Sequence, residues 1–559
     1  MESEIRSAIN TTLRDLGIDT VDFVVEHPGD ISRGDYATNV AMIVAQILKK
    51  NPREVAEQLQ GALEGKIPHI AKVEMAGPGF INFTLAKEYF PSVTSTITSE
   101  GDTWGTNSTL AGEDIIFEYT SPNLFKPLHI GNLVGNIVGE SISRLFEAGG
   151  AKVHRVNYPS DIGLTVAKGV WGLISIKGDP RDINQIGEAY RAGNEAYERG
   201  GEEKDAIEAV NRALYKGDDE ALNTLRTQGI ETSRTHLAEL CRMLGTTFDT
   251  EIFESEVSEA GTHIVREHVG DVFEESNGAV IYRGEKHGLH TRVFLNSQGL
   301  PTYEAKDVGN FSLKQKKYPE WTQSFVVTGG EQREYFKVLI EALKEVFPDA
   351  QSKLIAHIPT GFLTLTTGKM SSRKGNVLTG ESLLAEVREE AGHRAEESRA
   401  DDIETLTEMV AVGALKYQIL RQGIGSDIVF DKERALSLEG DSGPYLMYTH
   451  ARIASIEAKA KDAGIKGGVA ITPETPYDIE KLLYQFPEVV LKAQQERAPH
   501  HLVVFLTALA SAFNAFYAHE KFVDTEDALA PYKLALASAV RTTLKNGLHL
   551  LGIKAPEKM

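Results

Sequence analysis

The stretch DIIFEYTSPNLFKPLHIGNLVGNIVGESISRLFEAGGAKVHRVN, residues 114–157, decides the fold. DIIFEYTS at 114–121 reads as a strand. A loop follows, then a helix with Val134, Val138, Ile142 and Leu145 along one side. VHRVN at 153–157 is the next strand. Strand, helix and strand within about 45 residues begin an α/β parallel sheet. HIGN at 129–132 lies where the first loop enters the first helix, the usual ligand edge of such a sheet.

Before this stretch the chain predicts a small α+β unit. Residues 1–16 form a helix face with Ile5, Ile9, Leu13 and Leu16, ended by Gly17. A second helix starts near Asn39, with Val40, Ile43, Val44, Ile47 and Leu48 inward. A third has Asn51 as N-cap, Pro52 at the first helical position and Glu54 completing a capping box. GPGFINFTL at 77–85 alternates through Ile81, Phe83 and Leu85 as a strand. After the sheet's opening, residues 175–270 are charged and mostly helical, an insertion between halves of the sheet domain. Short apolar runs and turns lead to KMSSRKGN at 369–376, and from about 400 to 559 long amphipathic runs predict an all-helical domain. The expected domains are 1–95 (α+β), 110–395 (Rossmann-like parallel sheet) and 396–559 (helical).

Composition bounds the class. The 559 residues are 41% hydrophobic and 25% charged, as in ordinary soluble protein. No apolar run of about 18 residues predicts a bilayer crossing. The opening MESEIRSAINTTLRDLG lacks the basic head and apolar middle of a secretory signal. Cys241 is the only cysteine, which excludes internal disulfides and a multi-cysteine zinc site and fits a reducing cytoplasm. The formal charge of −21 gives nucleic-acid binding no help on average; phosphates would need local positive potential.

The local chemistry points to nucleotides. His129 at a strand-to-helix loop can donate to phosphate oxygens, the helix N-terminus adds positive potential, and Gly131 lets a flat ring approach the backbone. An exposed or packed loop histidine fits the same string. In KMSSRKGN, three basic side chains and two hydroxyls could clamp a polyphosphate as its charge grows; a solvated lysine-rich loop accounts for the charges but not for Met370. No GxxxxGK[ST] loop is present. Glu118 and Asp161 place carboxylates at strand ends, and Tyr303 and Asp307 lie four apart beside a glycine-rich turn; converging carboxylates suit a guanidinium, while taken alone these residues read first as ordinary caps and surface carboxylates. No HExxH or clustered ligand spacing predicts a protein-bound metal.

Taken together, EYTSPNLFKPLHIGN (118–132), DVGN (307–310), KMSSRKGN (369–376) and EGDSGPYLMYTHARIASI (439–456) resemble a class I arginyl-tRNA synthetase, with HIGH-like and KMSKS-like signatures. RGDYATNVAMIVAQ (33–46) and GPGFINFTL resemble that family's extra N-terminal domain, which meets the tRNA elbow, and GLHLLGIKAPEKM (547–559) its C-terminal ending. The resemblance implies arginyl-adenylate formation from L-arginine and ATP with Mg2+, then esterification of tRNA(Arg), with tRNA needed before activation in most members. It implies a cytoplasmic monomer with no membrane attachment and no structural metal. It implies arginine contacts from Glu118, Asn123, Asp161, Tyr303, Asp307 and Gln332. Lys126, His129, Gly131, Asn132, Lys369, Met370, Ser371, Ser372, Arg373 and Lys374 would face ATP, with Lys126, His129 and Lys369 catalytic. Phe80, Asn82, Tyr445 and Arg452 would touch tRNA. The chain departs from the family pattern at Asn132 (second histidine), at Ser372 (second lysine, whose charge Arg373 or Lys374 could supply) and at Tyr335 (often histidine). A class I synthetase for lysine and a non-catalytic tRNA-binding paralogue are the alternatives.

Overall fold

The computed structural model describes residues 1–19, 21–29, 33–366, 379–395, 398 and 400–559. KMSSRKGN, with Lys369, Met370, Ser371, Ser372, Arg373 and Lys374, lies outside the described residues.

The 114–157 stretch forms the predicted unit. Strand Asp114–Glu118 runs into helix Ile130–Ala148 and back through strand Lys152–Asn157. Five parallel strands line up in the order Leu354–Thr360, Gln323–Gly329, Asp114–Glu118, Lys152–Asn157 and Thr250–Glu251. The strand order reverses between Asp114–Glu118 and Gln323–Gly329, so the crevice at their carboxyl ends is the natural ligand position of this Rossmann-like sheet. All five residues of Asp114–Glu118 are buried, as a central parallel strand covered on both faces requires. Phe117 stacks on Phe325 at 4.9 Å and meets Phe146 edge-on at 5.2 Å, which locks helix Ile130–Ala148 onto the sheet.

The stretch expected as a helical insertion contains helices Ile183–Arg199, Gly201–Lys216, Glu220–Met243 and Glu254–Glu267. It also holds Thr250–Glu251, which pairs in parallel with Val156–Asn157 and closes the sheet. Two residues carry too little periodicity to be read as a strand.

By contact the described chain falls into two compact units: residues 1–105 with 452–489 and 508–546, and residues 106–451 with 490–507 and 547–559. In the first, helices Glu2–Asp15, Val40–Leu48 and Pro52–Leu63 accompany an antiparallel sheet ordered Val25–Glu26, Tyr36–Thr38, Phe80–Leu85, Ile70–Ala76. Ile81, Phe83 and Leu85 are buried as the alternation predicts. Helix Val40–Leu48 turns a different face inward: Val40, Ala41, Val44 and Ala45 are buried, while Ile47 and Leu48 are exposed. At about 100° per residue, Ile43 and Ile47 fall beside that face, and Leu48 is the last residue before Lys49 adopts a left-handed conformation. Asn51 caps the next helix through the amide of Arg53 at 3.0 Å.

The predicted helical C-terminal part contains Gly443–Asp462, Phe486–Gln495, His500–His519 and Ala530–Leu550. Helix His500–His519 is long and apolar enough to cross a membrane by length and composition. Its Leu502, Leu506, Leu509 and Phe513 are instead wholly buried in the fold, as in a core helix.

Candidate active site

The loop between strand Asp114–Glu118 and helix Ile130–Ala148 has an unusual backbone. Thr120, Ser121 and Phe125 have φ of 75°, 39° and 66°. Left-handed conformations at non-glycine residues cost about 1–3 kcal/mol each and persist only when their surroundings fix them. Here the surroundings do. Asn132 Nδ2 donates to the Thr120 carbonyl at 2.7 Å, and Asn136 Nδ2, one turn on, donates to Thr120 Oγ1 at 3.0 Å. The Ser121 amide donates to Asn157 Oδ1 at 3.2 Å. The Phe125 ring is buried between two glycines of the following helices: a β-carbon would lie 2.5 Å from it at Gly169 and 2.2 Å at Gly229. Ser233 Oγ accepts the Phe125 amide at 3.3 Å. The sequence shows no glycine or asparagine at Phe125 that would announce a left-handed residue.

This loop delivers His129 as the N-cap of helix Ile130–Ala148, with Nδ1 accepting the Gly131 amide at 3.1 Å. A β-carbon at Gly131 would approach that nitrogen to 3.3 Å, so glycine keeps the cap open. Burial, then Lys126, lower the His129 pKa, with Glu331 opposing. A neutral ring accepting at Nδ1 carries its proton on Nε2, where it can donate to an anion at the positive end of the helix. Lys126 and His129 line a cavity of about 960 Å³, which also takes in Asn123, Tyr190, His236 and Glu381. Lys126 Nζ lies 5.8 Å from the Tyr190 ring centroid. Asn132 points the other way, to Thr120.

At the carboxyl ends of the strands the structure gathers carboxylates. Tyr158 is surrounded by Asp307, Glu254, Glu118 and Asp161; burial first, and then these acids, push its hydroxyl well above its ordinary range. Three of the four are matched. Glu118 Oε2 takes Lys314 Nζ at 2.7 Å and Asn310 Nδ2 at 2.9 Å. Asp161 takes the Arg226 guanidinium at 2.5 Å and the Ser255 amide and hydroxyl at 2.9 and 2.7 Å. Glu254 takes Lys306, which also donates to Tyr215 at 3.0 Å. Asp307 alone has no cationic side chain at ion-pair distance among the described residues; its Oδ2 accepts only the Tyr335 hydroxyl, at 2.5 Å. Burial pushes the Asp307 carboxyl up to about 7; Tyr335 and Lys314 oppose that rise, and Glu118 and Glu254 add to it. Lys314, Lys306, Glu254 and Arg226 went unmarked in the sequence because each partner is far along the chain.

The remaining residues are placed as follows. Asn123 is exposed and pairs by a single bridge with Ser160. Tyr303 opens helix Tyr303–Lys317 and is 74% exposed, with Lys306 Nζ 5.6 Å from its ring. Gln332 follows strand Gln323–Gly329 at the switch point, and its Oε1 is 3.3 Å from Thr328 Oγ1. His357 Nε2 lies 2.8 Å from the same hydroxyl and is pushed down to about 4, chiefly by burial. Phe80 and Asn82 share the half-exposed face of strand Phe80–Leu85. Tyr445 and Arg452 are half-buried on helix Gly443–Asp462, with Arg452 donating to Asn514 at 2.6 Å. Among the described residues no cluster of three or more His, Cys, Asp and Glu could hold a metal ion.

Comparison with known proteins gives this geometry a family. Three family models match: "tRNA synthetases class I (R), catalytic domain" over residues 93–432, "Arginyl tRNA synthetase N terminal domain" over 3–85, and "DALR anticodon binding domain" over 446–559. The arginine–tRNA ligase of Ligilactobacillus salivarius is 32% identical over 548 residues, covering 96% of this chain and 95% of that protein. That of Halothermothrix orenii is 29% identical over 566 residues, covering 99% and 98%. The solved arginyl-tRNA synthetase of Thermus thermophilus superposes with a TM-score of 0.82 at 24% identity, covering 100% of both chains, and so shares the fold. The chain belongs to the arginyl-tRNA synthetase family of class I tRNA synthetases.

Proposed function

We propose that the protein activates L-arginine with ATP to arginyl-adenylate and transfers it to the 3′ end of tRNA(Arg), releasing diphosphate and AMP. The observation that carries this reading is the charge count beneath the sheet's switch point: four carboxylates, three of them matched by Lys314, Arg226 and Lys306, and Asp307 left over. A pocket one cation short suits a permanently charged guanidinium, which can pair with a carboxylate through two N–H groups. Tyr303, Asn123 and Gln332 complete the arginine contacts in this reading. Glu118 and Asp161 act from behind, each already tied to an internal cation.

The chemistry asks no nucleophile of the protein. An arginine carboxylate oxygen attacks the α-phosphorus of ATP, the bond to the pyrophosphate oxygen breaks, and pyrophosphate leaves. The chain must align two anions and offset the charge that develops between them. His129 Nε2–H, Lys126 and the amino end of helix Ile130–Ala148 supply positive potential on one side, with Gly131 giving the nucleotide close approach. By sequence alone Lys369 and the basic residues after it add to that potential. Magnesium comes in with ATP, where it neutralises phosphate charge. Phe80 and Asn82 meet the tRNA elbow, and Tyr445 and Arg452 its anticodon side. The same reading takes the domains as 1–95, 110–395 and 396–559, and the enzyme as a cytoplasmic monomer.

Pyrophosphate exchange tests the activity, run with arginine or lysine, with and without tRNA. Exchange that requires arginine and rises on adding tRNA is expected. Exchange driven equally by lysine removes the substrate assignment, and no exchange with either removes the enzymatic reading in favour of a tRNA-binding protein.

A further inference from the structure

The backbone beside His129 is tied to the start of helix Gly380–Ala395, and one side chain from the helical insertion reaches that junction. Leu128, next to His129, is held through both of its backbone groups: its carbonyl accepts the Gly380 amide at 2.8 Å, and its amide donates to Glu381 Oε1 at 2.8 Å. His129 itself bridges to Thr379. Thr379 and Ser382 exchange hydrogen bonds at 3.0 and 3.1 Å, so the start of helix Gly380–Ala395 is a fixed post. The other oxygen of Glu381, Oε2, stands 3.4 Å from Nε2 of His236 on helix Glu220–Met243.

We propose that His236 is a positioning residue of the adenylate-forming site: facing Oε2 of Glu381, it keeps that carboxylate on the Leu128 amide and so fixes the backbone from which His129 projects. This rests on the function proposed above. The histidine touches neither substrate nor reacting atom; it acts through Glu381. Its surroundings favour the charged form. Glu381, followed by Glu239 on its own helix, raises the His236 pKa, while partial burial opposes the rise. Besides Glu381, the charged or titratable groups lining the cavity with His236 are Lys126, His129, Tyr190, Arg191, Glu195 and Glu198. The contact is therefore strongest while His236 is protonated and weakens as pH rises through its raised value. Because the helix that carries His236 also supplies Gly229 and Ser233 to the Phe125 seat, the insertion grips the signature loop at two places.

The test measures kcat and KM for ATP and for arginine in tRNA-supported pyrophosphate exchange between about pH 6 and 9, together with hydrogen exchange of the Leu128 amide. The wild type, His236→Ala, His236→Gln and Glu381→Gln are compared. His236→Ala should lower kcat about tenfold with the arginine KM within about twofold, and should speed exchange at Leu128 about tenfold. His236→Gln keeps a donor without a titration. It should retain most of the activity and lose the decline of kcat at high pH. Glu381→Gln keeps an acceptor for Leu128 and should reproduce the flat profile. Unchanged Leu128 exchange in His236→Ala, or an unaltered high-pH decline in His236→Gln, overturns the proposal. If the wild type shows no arginine-dependent exchange, the reading of the activity fails, and the Leu128 amide still decides whether His236 holds the clamp.

Discussion

Glu118 and Lys314 meet at 2.7 Å as an ion pair whose side chains are 6% and 4% exposed. The carboxylate at the end of the central strand thus has an internal cation of its own. Removing one partner of a buried pair costs far more than the pair contributes, because the other charge is left stranded. Lys314→Met is expected to destabilise the protein by about 3–5 kcal/mol in urea unfolding. A loss below about 1 kcal/mol would show that water reaches Glu118.

Asp307→Asn removes the unmatched charge. Losing a buried charge contact of about 2–5 kcal/mol should raise the arginine KM by roughly 30-fold or more, with the KM for ATP within about twofold. Steady-state kinetics with each substrate varied in turn would decide it, and equal effects on both substrates would sink the assignment.

The pH dependence follows from the same residue. Burial raises the folded Asp307 pKa to about 7, far above an ordinary aspartate. Below about 7 the carboxyl is neutral and cannot pair with arginine, so kcat/KM for arginine should rise with pH through that region. The effect on stability has the opposite sign. The folded protein binds this proton more tightly than the unfolded chain does, so the group's contribution to stability improves as pH falls from about 7. Tyr335 opposes the rise through its hydrogen bond. Tyr335→Phe should therefore move the arginine limb to higher pH, and a limb that stays in place would deny Tyr335 that influence.

Asn132→Ala leaves the Thr120 carbonyl without its 2.7 Å donor. A buried acceptor so stranded costs about 1–3 kcal/mol, read as a lower unfolding midpoint. Activity should fall with stability, since the left-handed Thr120 lies two residues beyond Glu118. Full stability in this variant would show that Asn136 alone secures the turn.

Gly229→Ala places a methyl 2.2 Å from the Phe125 ring, and Gly169→Ala one 2.5 Å from it. Each overpacks a filled site and should cost about 1–3 kcal/mol, with the KM for ATP raised as the loop carrying Lys126 and His129 shifts. Because both press on one ring, the double variant should be less harmful than the sum of the two. Additive losses would place the two glycines in independent contacts.

What could be read in advance followed from local pattern. The strand, helix and strand of 114–157 were legible because periodicity survives without knowledge of neighbours, and so was the position of His129 at the helix start. Asp307 was legible through its motif. The charge matching was not. Glu118 finds Lys314 at a separation of 196 residues, Glu254 finds Lys306 at 52 and Asp161 finds Arg226 at 65. No spacing rule says which distant charges will meet, so the sequence marks Asp161 without revealing its pairing with Arg226. Asn132 shows the same limit: its place in the signature does not reveal that its amide holds the Thr120 carbonyl. Strands as short as Thr250–Glu251 and Val25–Glu26 exist through pairing that two residues cannot encode alone.

The unmatched Asp307 also bears on discrimination. Citrulline has nearly the shape of arginine and no charge. Placed beside Asp307 it would leave an ionised carboxylate buried among Glu118 and Glu254, or force that carboxylate to stay protonated. A site built around a missing partner rejects the impostor far more strongly than a snug apolar pocket rejects one methylene too many. In the proposed reading the unmatched carboxylate is itself the filter, operating before any bond is made.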